Sequence, residues 1–263
     1  MAHLTAAEAQ TYRDQGYVIP EWRLPADRIA ALQQALDDAL AANPGVRPEH
    51  LVSIHVQGKN AEGVVGSDAF LDLARDPDIL DLVQGCIGPD IVLWGCHLFC
   101  KPAGEGLEVP WHQDGHYWPI RPLATCTVWV ALERSDRENG CLRVIPGSHQ
   151  PAELQEHLRE EGGALTQRLG EDAFDEADAV DVELEPGQMS LHDVYMIHGS
   201  NQNASPRRRA GLAIRYMPAS SLFDREIFKR SDSSGFTVDF TTRPLWLVRG
   251  QDRAGNDFVA GHV

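Results

Sequence analysis

At 263 residues the chain is long enough to bury a full core, and one β-rich domain of this size is common. Its 43% hydrophobic and 24% charged residues suit a soluble globular protein, and with no apolar run of about 18 residues no membrane-spanning helix is expected. The net charge of −16 argues against a nucleic-acid surface, because phosphate backbones are gripped by clustered Lys and Arg. The first residues lack the apolar core of a signal peptide. The cysteines (Cys86, Cys96, Cys100, Cys126, Cys141) form no CxxC pair. A cytoplasmic location with reduced thiols is the expectation.

In chain order, Thr5-Ala-Ala-Glu8 has capping-box spacing and predicts a short helix through Arg13. Gly16–Pro20 reads as a brief strand. Pro25 to about Ala42 is a second helix, with Ile29, Leu32, Leu36 and Leu40 at helical spacing and Asn43-Pro44-Gly45 ending it. A third helix, Ser67 to Gly88, is expected in two pieces because Pro77 interrupts it. From Ile91 the pattern becomes short apolar runs between turn residues: Ile91–Cys100, Thr125–Leu132, Cys141–Pro146, Asp181–Leu184, Gln188–Met196 and Ala210–Met217. Many strands without intervening helices indicate a sandwich or barrel. Residues 150–180 read as a charged helical or loop-like insertion over it. One domain is expected: a helical part over about 1–90, a β core over about 91–218, and an extension over about 219–263.

The chemistry begins at Trp111-His112-Gln-Asp114. Positions two apart on a strand share a face, so His112 and Asp114 are placed to grip one ion together. An H-x-D pair alone is common. The second histidine comes from the strand end Met196-Ile-His198-Gly-Ser200. Two histidines and one carboxylate on one face of an iron ion leave three positions open, the arrangement of non-haem Fe(II) oxygenases. Those positions accept a bidentate 2-oxo acid and O2. Arg209 follows His198 by eleven residues and opens the last strand, where its guanidinium suits the two-pronged grip of a distal carboxylate. Arg215 shares its parity and is the alternative. Arg207 and Arg208 are expected in a solvent-facing turn. His192 also has the parity of His198, but strand rise would place it about 20 Å away. His97, Thr127 and Trp129 fall on interior-facing strands, and of these only Trp129 is expected to line the pocket.

Over roughly Ile91 to Met217 the sequence resembles the phytanoyl-CoA dioxygenase family. The resemblance rests on Trp111-His-Gln-Asp-Gly-His-Tyr-Trp-Pro-Ile-Arg121-Pro, Val128-Trp-Val-Ala-Leu132, Asn139-Gly-Cys-Leu-Arg-Val-Ile-Pro-Gly-Ser-His149, and His198-Gly-Ser-Asn-Gln-Asn203 with Arg209. It implies a mainly β protein with N-terminal helices and a double-stranded β-helix (jelly-roll, cupin-like) core. It also implies Fe(II), 2-oxoglutarate and O2, with His112, Asp114 and His198 as metal ligands and Arg209 on the 2-oxoglutarate carboxylate. Trp129 and Ser200 match positions beside the cosubstrate, and His55 matches an upstream position that contacts it. Asp114 is present, so the chain does not resemble relatives that replace the carboxylate to admit halide, and hydroxylation is favoured. His116, Tyr117, Trp118 and Arg121 come directly after the metal motif and are expected to form the substrate mouth.

Two readings from other classes are a cupin-like hydrolase or isomerase without redox chemistry, which would not need Arg209, and a non-catalytic ligand-binding barrel. A coenzyme A thioester would want a basic groove that this sequence lacks outside Arg207–Arg209, so a small-molecule substrate is expected, with no nucleic acid or membrane partner.

Overall fold

Four α-helices precede Gly88, and among the described residues none comes after it. The structure, a computed structural model, describes residues 2–227 and 240–262; residues 228–239 of the expected extension lie outside the described residues. Helix α1 (Ala6–Gln15) begins where the Thr5 hydroxyl accepts from the Glu8 N–H and the Glu8 carboxylate accepts from the Thr5 N–H, a reciprocal cap. It stops at Gly16, whose φ of 79° is left-handed and costs a glycine nothing. Helix α2 (Ala26–Ala42) buries Ile29, Leu32, Leu36 and Ala39. Asn43 ends it, its amide bonded to the Ala39 and Val65 carbonyls. The next helical stretch divides at Asp76-Pro77 into α3 (Asp68–Ala74) and α4 (Pro77–Ile87), each capped by the side chain before it, Ser67 and Asp76.

Two sheets form the rest of the core. The major sheet has seven strands, in the order Tyr17–Val18, Met189–Asp193, Cys126–Ala131, Arg209–Pro218, Ile91–Lys101, Trp246–Arg249, with Leu51–Val52 also paired to Ile91–Lys101. The minor sheet has four: Val180–Val182, Leu142–Val144, Ile197–Ser200 and Val109–Gln113. Strand alternation divides the major sheet cleanly. Cys96, Leu98, Val128, Val130, Leu191, Ala210, Leu212 and Ile214 join the helices in the main apolar core. Phe99, Thr127, Trp129, His192, Arg209, Ala213 and Arg215 face the minor sheet and line the space between. Gly211 is required here: a Cβ on it would stand 2.0 Å from the Trp129 ring.

One expectation needs correction, and the helical or loop-like alternatives for residues 150–180 narrow to the second. The apolar run Gln188–Met196 is not one strand. It turns after Asp193, whose carboxylate accepts from the Tyr195 N–H and whose carbonyl accepts from the Met196 N–H, and the chain crosses to the other sheet. The insertion over 150–180 contains no α-helix. It forms an antiparallel pair, His157–Arg159 with Gln167–Leu169, and short 3-10 turns.

Candidate active site

His112 and His198 are direct cross-strand neighbours in the minor sheet, with ring centroids 4.2 Å apart. Asp114 begins the turn that ends the His112 strand. The ligand atoms of His112, Asp114 and His198 all lie within 4.8 Å of one another, and all three residues are buried. Each imidazole is aimed by its own backbone. His112 Nδ1 sits 2.8 Å from the Pro110 carbonyl and His198 Nδ1 sits 2.9 Å from the Met196 carbonyl. A carbonyl accepts only, so both rings carry their N–H at Nδ1 and leave an Nε2 lone pair free. This orientation by outer hydrogen bonds is what metal-binding histidines require.

The electrostatics agree with a cation site. Burial raises the Asp114 carboxyl, but the facing imidazoles of His112 and His192 outweigh it and hold it well below the usual carboxylate range. Burial, then the neighbouring His112, pushes His198 well below the ordinary histidine value, so its ring is neutral. Asp114 pairs only with imidazoles, at 3.7 Å from His112 and 3.8 Å from His192, and no Lys or Arg among the described residues bridges to it. No ion pair gives this buried carboxylate a full positive charge at contact, the Arg215 guanidinium acting on it only from farther off, and a divalent ion would supply one. Two imidazoles and a carboxylate suit Fe(II).

The site's other pole is Arg209. Its guanidinium is buried, donates from Nε to the Gly140 carbonyl at 3.0 Å and from Nη2 to Ser200 Oγ at 3.4 Å, and lies 5.3 Å from the centre of the Trp129 ring. Burial lowers its pKa to about 10, which still leaves it cationic at neutral pH. No carboxylate of the described residues pairs with it. Arg209, Trp129 and Ser200 share one cavity with His112, Asp114 and His198, about 470 Å3 of space with its mouth included. A larger cleft of about 2110 Å3 opens beside Trp111 and Phe174, but its lining is dominated by Glu108, Glu160, Asp172 and other acids and holds none of this constellation.

Several expected residues lie elsewhere. His55 is fully buried but outside the cavity lining, its ring edge-on to Trp246 at 4.8 Å; burial pulls its pKa to about 3. None of His116, Tyr117, Trp118 and Arg121 lines the cavity. Strand alternation ends at Gln113, and the turn over Asp114–Tyr117 redirects the chain beyond it. His116 stacks on His157 at 4.0 Å. Trp118 packs on Trp94 at 4.5 Å in a second apolar cluster with Ile120 and Phe223. Arg121 donates to the Trp118 and Ile120 carbonyls. Tyr117 comes nearest, its ring 6.2 Å from that of His112.

Other residues stand closer to the site than their strand positions imply. His192 is not about 20 Å off: the turn after Asp193 folds it back, its ring 4.9 Å from that of His198. Thr127 lines the cavity beside Trp129, while His97 does not and instead bonds the Glu49 carbonyl at 2.9 Å. Lys101, unmarked in the sequence, is buried and clamps the turn after His198 by donating to the Ser200 and Asn201 carbonyls; burial draws its pKa down to about 6. Its parity with Phe99 was the available signal. Arg207 and Arg208 are not free in solvent. Arg207 bridges Asp136 and Glu138, each at 2.9 Å, and Arg208 bridges Glu133 and Asp37.

Comparison with known proteins points the same way. The family model described as phytanoyl-CoA dioxygenase (PhyH) matches residues 12–211. The chain is 30% identical to the peroxisomal phytanoyl-CoA dioxygenase of Bos taurus over 66% of its own length and 57% of that protein's. It is 29% identical to a probable phytanoyl-CoA dioxygenase of Caenorhabditis elegans, over 81% of this chain and 75% of that one. Among solved structures it resembles a non-haem monooxygenase, ThoJ, in its apo form, with a TM-score of 0.72 and 28% identity, covering 96% of this chain and 85% of the other. A family-model match over residues 12–211, most of the chain, leaves one conclusion: the chain belongs to the phytanoyl-CoA dioxygenase family of Fe(II)- and 2-oxoglutarate-dependent dioxygenases.

Proposed function

We propose that this chain hydroxylates an unactivated C–H bond of a small molecule, with His112, Asp114 and His198 holding Fe(II) and Arg209 holding the distal carboxylate of 2-oxoglutarate. The observation that carries the reading is a buried arginine without an anionic partner in the same cavity as a buried His–Asp–His cluster. A non-redox metalloenzyme would leave that arginine without work. Bound there, Fe(II) with 2-oxoglutarate and O2 would supply the oxidant for hydroxylation, with succinate and CO2 as coproducts.

The chain's own residues bind and orient. The Pro110 and Met196 carbonyls fix the two imidazoles, so the metal meets lone pairs without displacing protons. Arg209 presents in-plane N–H groups to one end of the cosubstrate, and Trp129 covers the guanidinium face, so that end is oriented as well as bound. Ser200 adds a hydroxyl beside the same group. The two sheets exclude bulk water, which strengthens each of these contacts. Arg207 and Arg208 are taken up by acids, so this pair offers no free basic groove to coenzyme A phosphates, and a small substrate fits better. No described helix is long and apolar enough to cross a membrane.

The test is succinate release from 2-oxoglutarate against a metabolite panel with Fe(II) and ascorbate. Iron-dependent turnover stimulated by a panel member is the expected result. Absence of both turnover and iron-dependent 2-oxoglutarate binding would end the reading.

A further inference from the structure

The cavity holds polar groups that the roles above leave unused, and they form one row. Arg215 lies directly opposite Thr127, and Thr127 directly opposite His192, on three adjacent strands of the major sheet. All three line the cavity. Arg215 Nε, Thr127 Oγ1 and both ring nitrogens of His192 are buried with no hydrogen-bond partner. Asp114 Oδ2 lies 3.8 Å from His192 Nε2, beyond hydrogen-bond distance. Buried polar groups are nearly always hydrogen-bonded, so three neighbours in one cavity with atoms that make no hydrogen bond call for a partner from outside the chain. The guanidinium of Arg215 is covered by Trp94 at 5.7 Å and Trp118 at 5.2 Å, and its in-plane N–H edge is what remains to bind.

We infer that this row receives a carboxylate of the substrate and so fixes which carbon lies beside the metal site. The inference rests on the dioxygenase reading above. Arg215 supplies charge and two parallel donors; Thr127 and His192 add a hydroxyl and a ring N–H toward the same oxygens. The cosubstrate does not need the row. Its distal carboxylate is met by Arg209, and Arg215 stands six residues further along the same strand, about 20 Å by strand rise. A phosphate would bring more charge than one guanidinium offsets, into a protein whose net charge is already −16. A monoanionic carboxylate next to aromatic side chains matches what is present.

The test uses Fe(II)-loaded protein with saturating 2-oxoglutarate, kept free of O2, titrated with benzoate or benzamide by calorimetry. Benzoate should bind saturably and benzamide should not. Arg215→Gln should weaken benzoate at least tenfold, the loss expected for a charged hydrogen-bond pair, with the iron-dependent absorbance of bound 2-oxoglutarate unchanged. Thr127→Val, nearly isosteric, should weaken benzoate several-fold and covers the case in which Arg215→Gln does not fold. The inference is overturned if wild type does not bind benzoate, if neither variant changes its affinity, or if benzoate and 2-oxoglutarate compete. Competition would assign the row to the cosubstrate. Failure of wild type to bind 2-oxoglutarate at the first step would instead sink the dioxygenase reading.

Discussion

The two sheets face each other across one cavity and do different work. The minor sheet contributes the imidazoles of His112 and His198, with Asp114 at its strand end. The major sheet contributes cations and donors: Arg209, Arg215, Thr127 and His192. Its opposite face is apolar and packs on the helices. Polarity is therefore confined to the faces that meet, and the division of labour is electrostatic. One wall is built to hold a cation, the other to hold the anions that accompany it. His112 and His198 on one sheet and Arg209 on the other are each oriented by hydrogen bonds of their own before anything binds, which is how a preorganised site avoids reorganisation when ligands arrive.

The widest break in this comparison comes from the minor-sheet side. Asp114→Ala removes the only carboxylate of the cluster, so metal content and turnover should both fall to background, measured by metal analysis and succinate release. Retained iron would move the ligand role to another residue. Next in size is a variant behind the cavity. Trp118→Ala empties a buried site packed on Trp94, and should cost about 3–5 kcal/mol, lowering Tm on the order of 10 °C by calorimetry. An unchanged Tm would return Trp118 to a pocket role.

On the major sheet, Arg209→Lys keeps the charge but loses the planar fork. The apparent KM for 2-oxoglutarate should rise tenfold or more, about 1.4 kcal/mol, with Tm nearly unchanged. Equal KM values would hand the cosubstrate to Arg215. A last test concerns His55, which the geometry removes from the cavity. Its pKa is pulled down to about 3 by burial, so the unfolded chain takes up a proton first as pH falls. Stability from keeping this ring neutral is complete above about pH 6.5 and is lost progressively between there and about pH 3. In His55→Phe, Tm should fall less between pH 7 and pH 4.5 than in wild type; parallel curves would contradict it.

Helix boundaries were legible because their causes are local. Thr5 and Glu8 cap each other three residues apart, Gly16 accepts a left-handed φ, and Pro77 breaks the helix at its own nitrogen. The grouping of His112, Asp114 and His198 was legible for a related reason. One pair stands two residues apart, His112 near the end of its strand and Asp114 first in the turn that follows, and the third histidine sits just before a glycine where a Cβ would meet the Val109 carbonyl at 2.9 Å. Alternation tells which residues share a face; it does not tell where a strand stops. The turn after Asp193 sent Met189–Asp193 and Ile197–Ser200 to opposite sheets and brought His192 to Asp114. The turn at Asp114 took Trp118 out of the cavity and into the aromatic cluster. The chemistry of the cluster was thus written in residue types at short spacing. Which other side chains surround it was decided by long-range packing, because a single reversal of the chain changes the sheet a side chain faces without changing its parity.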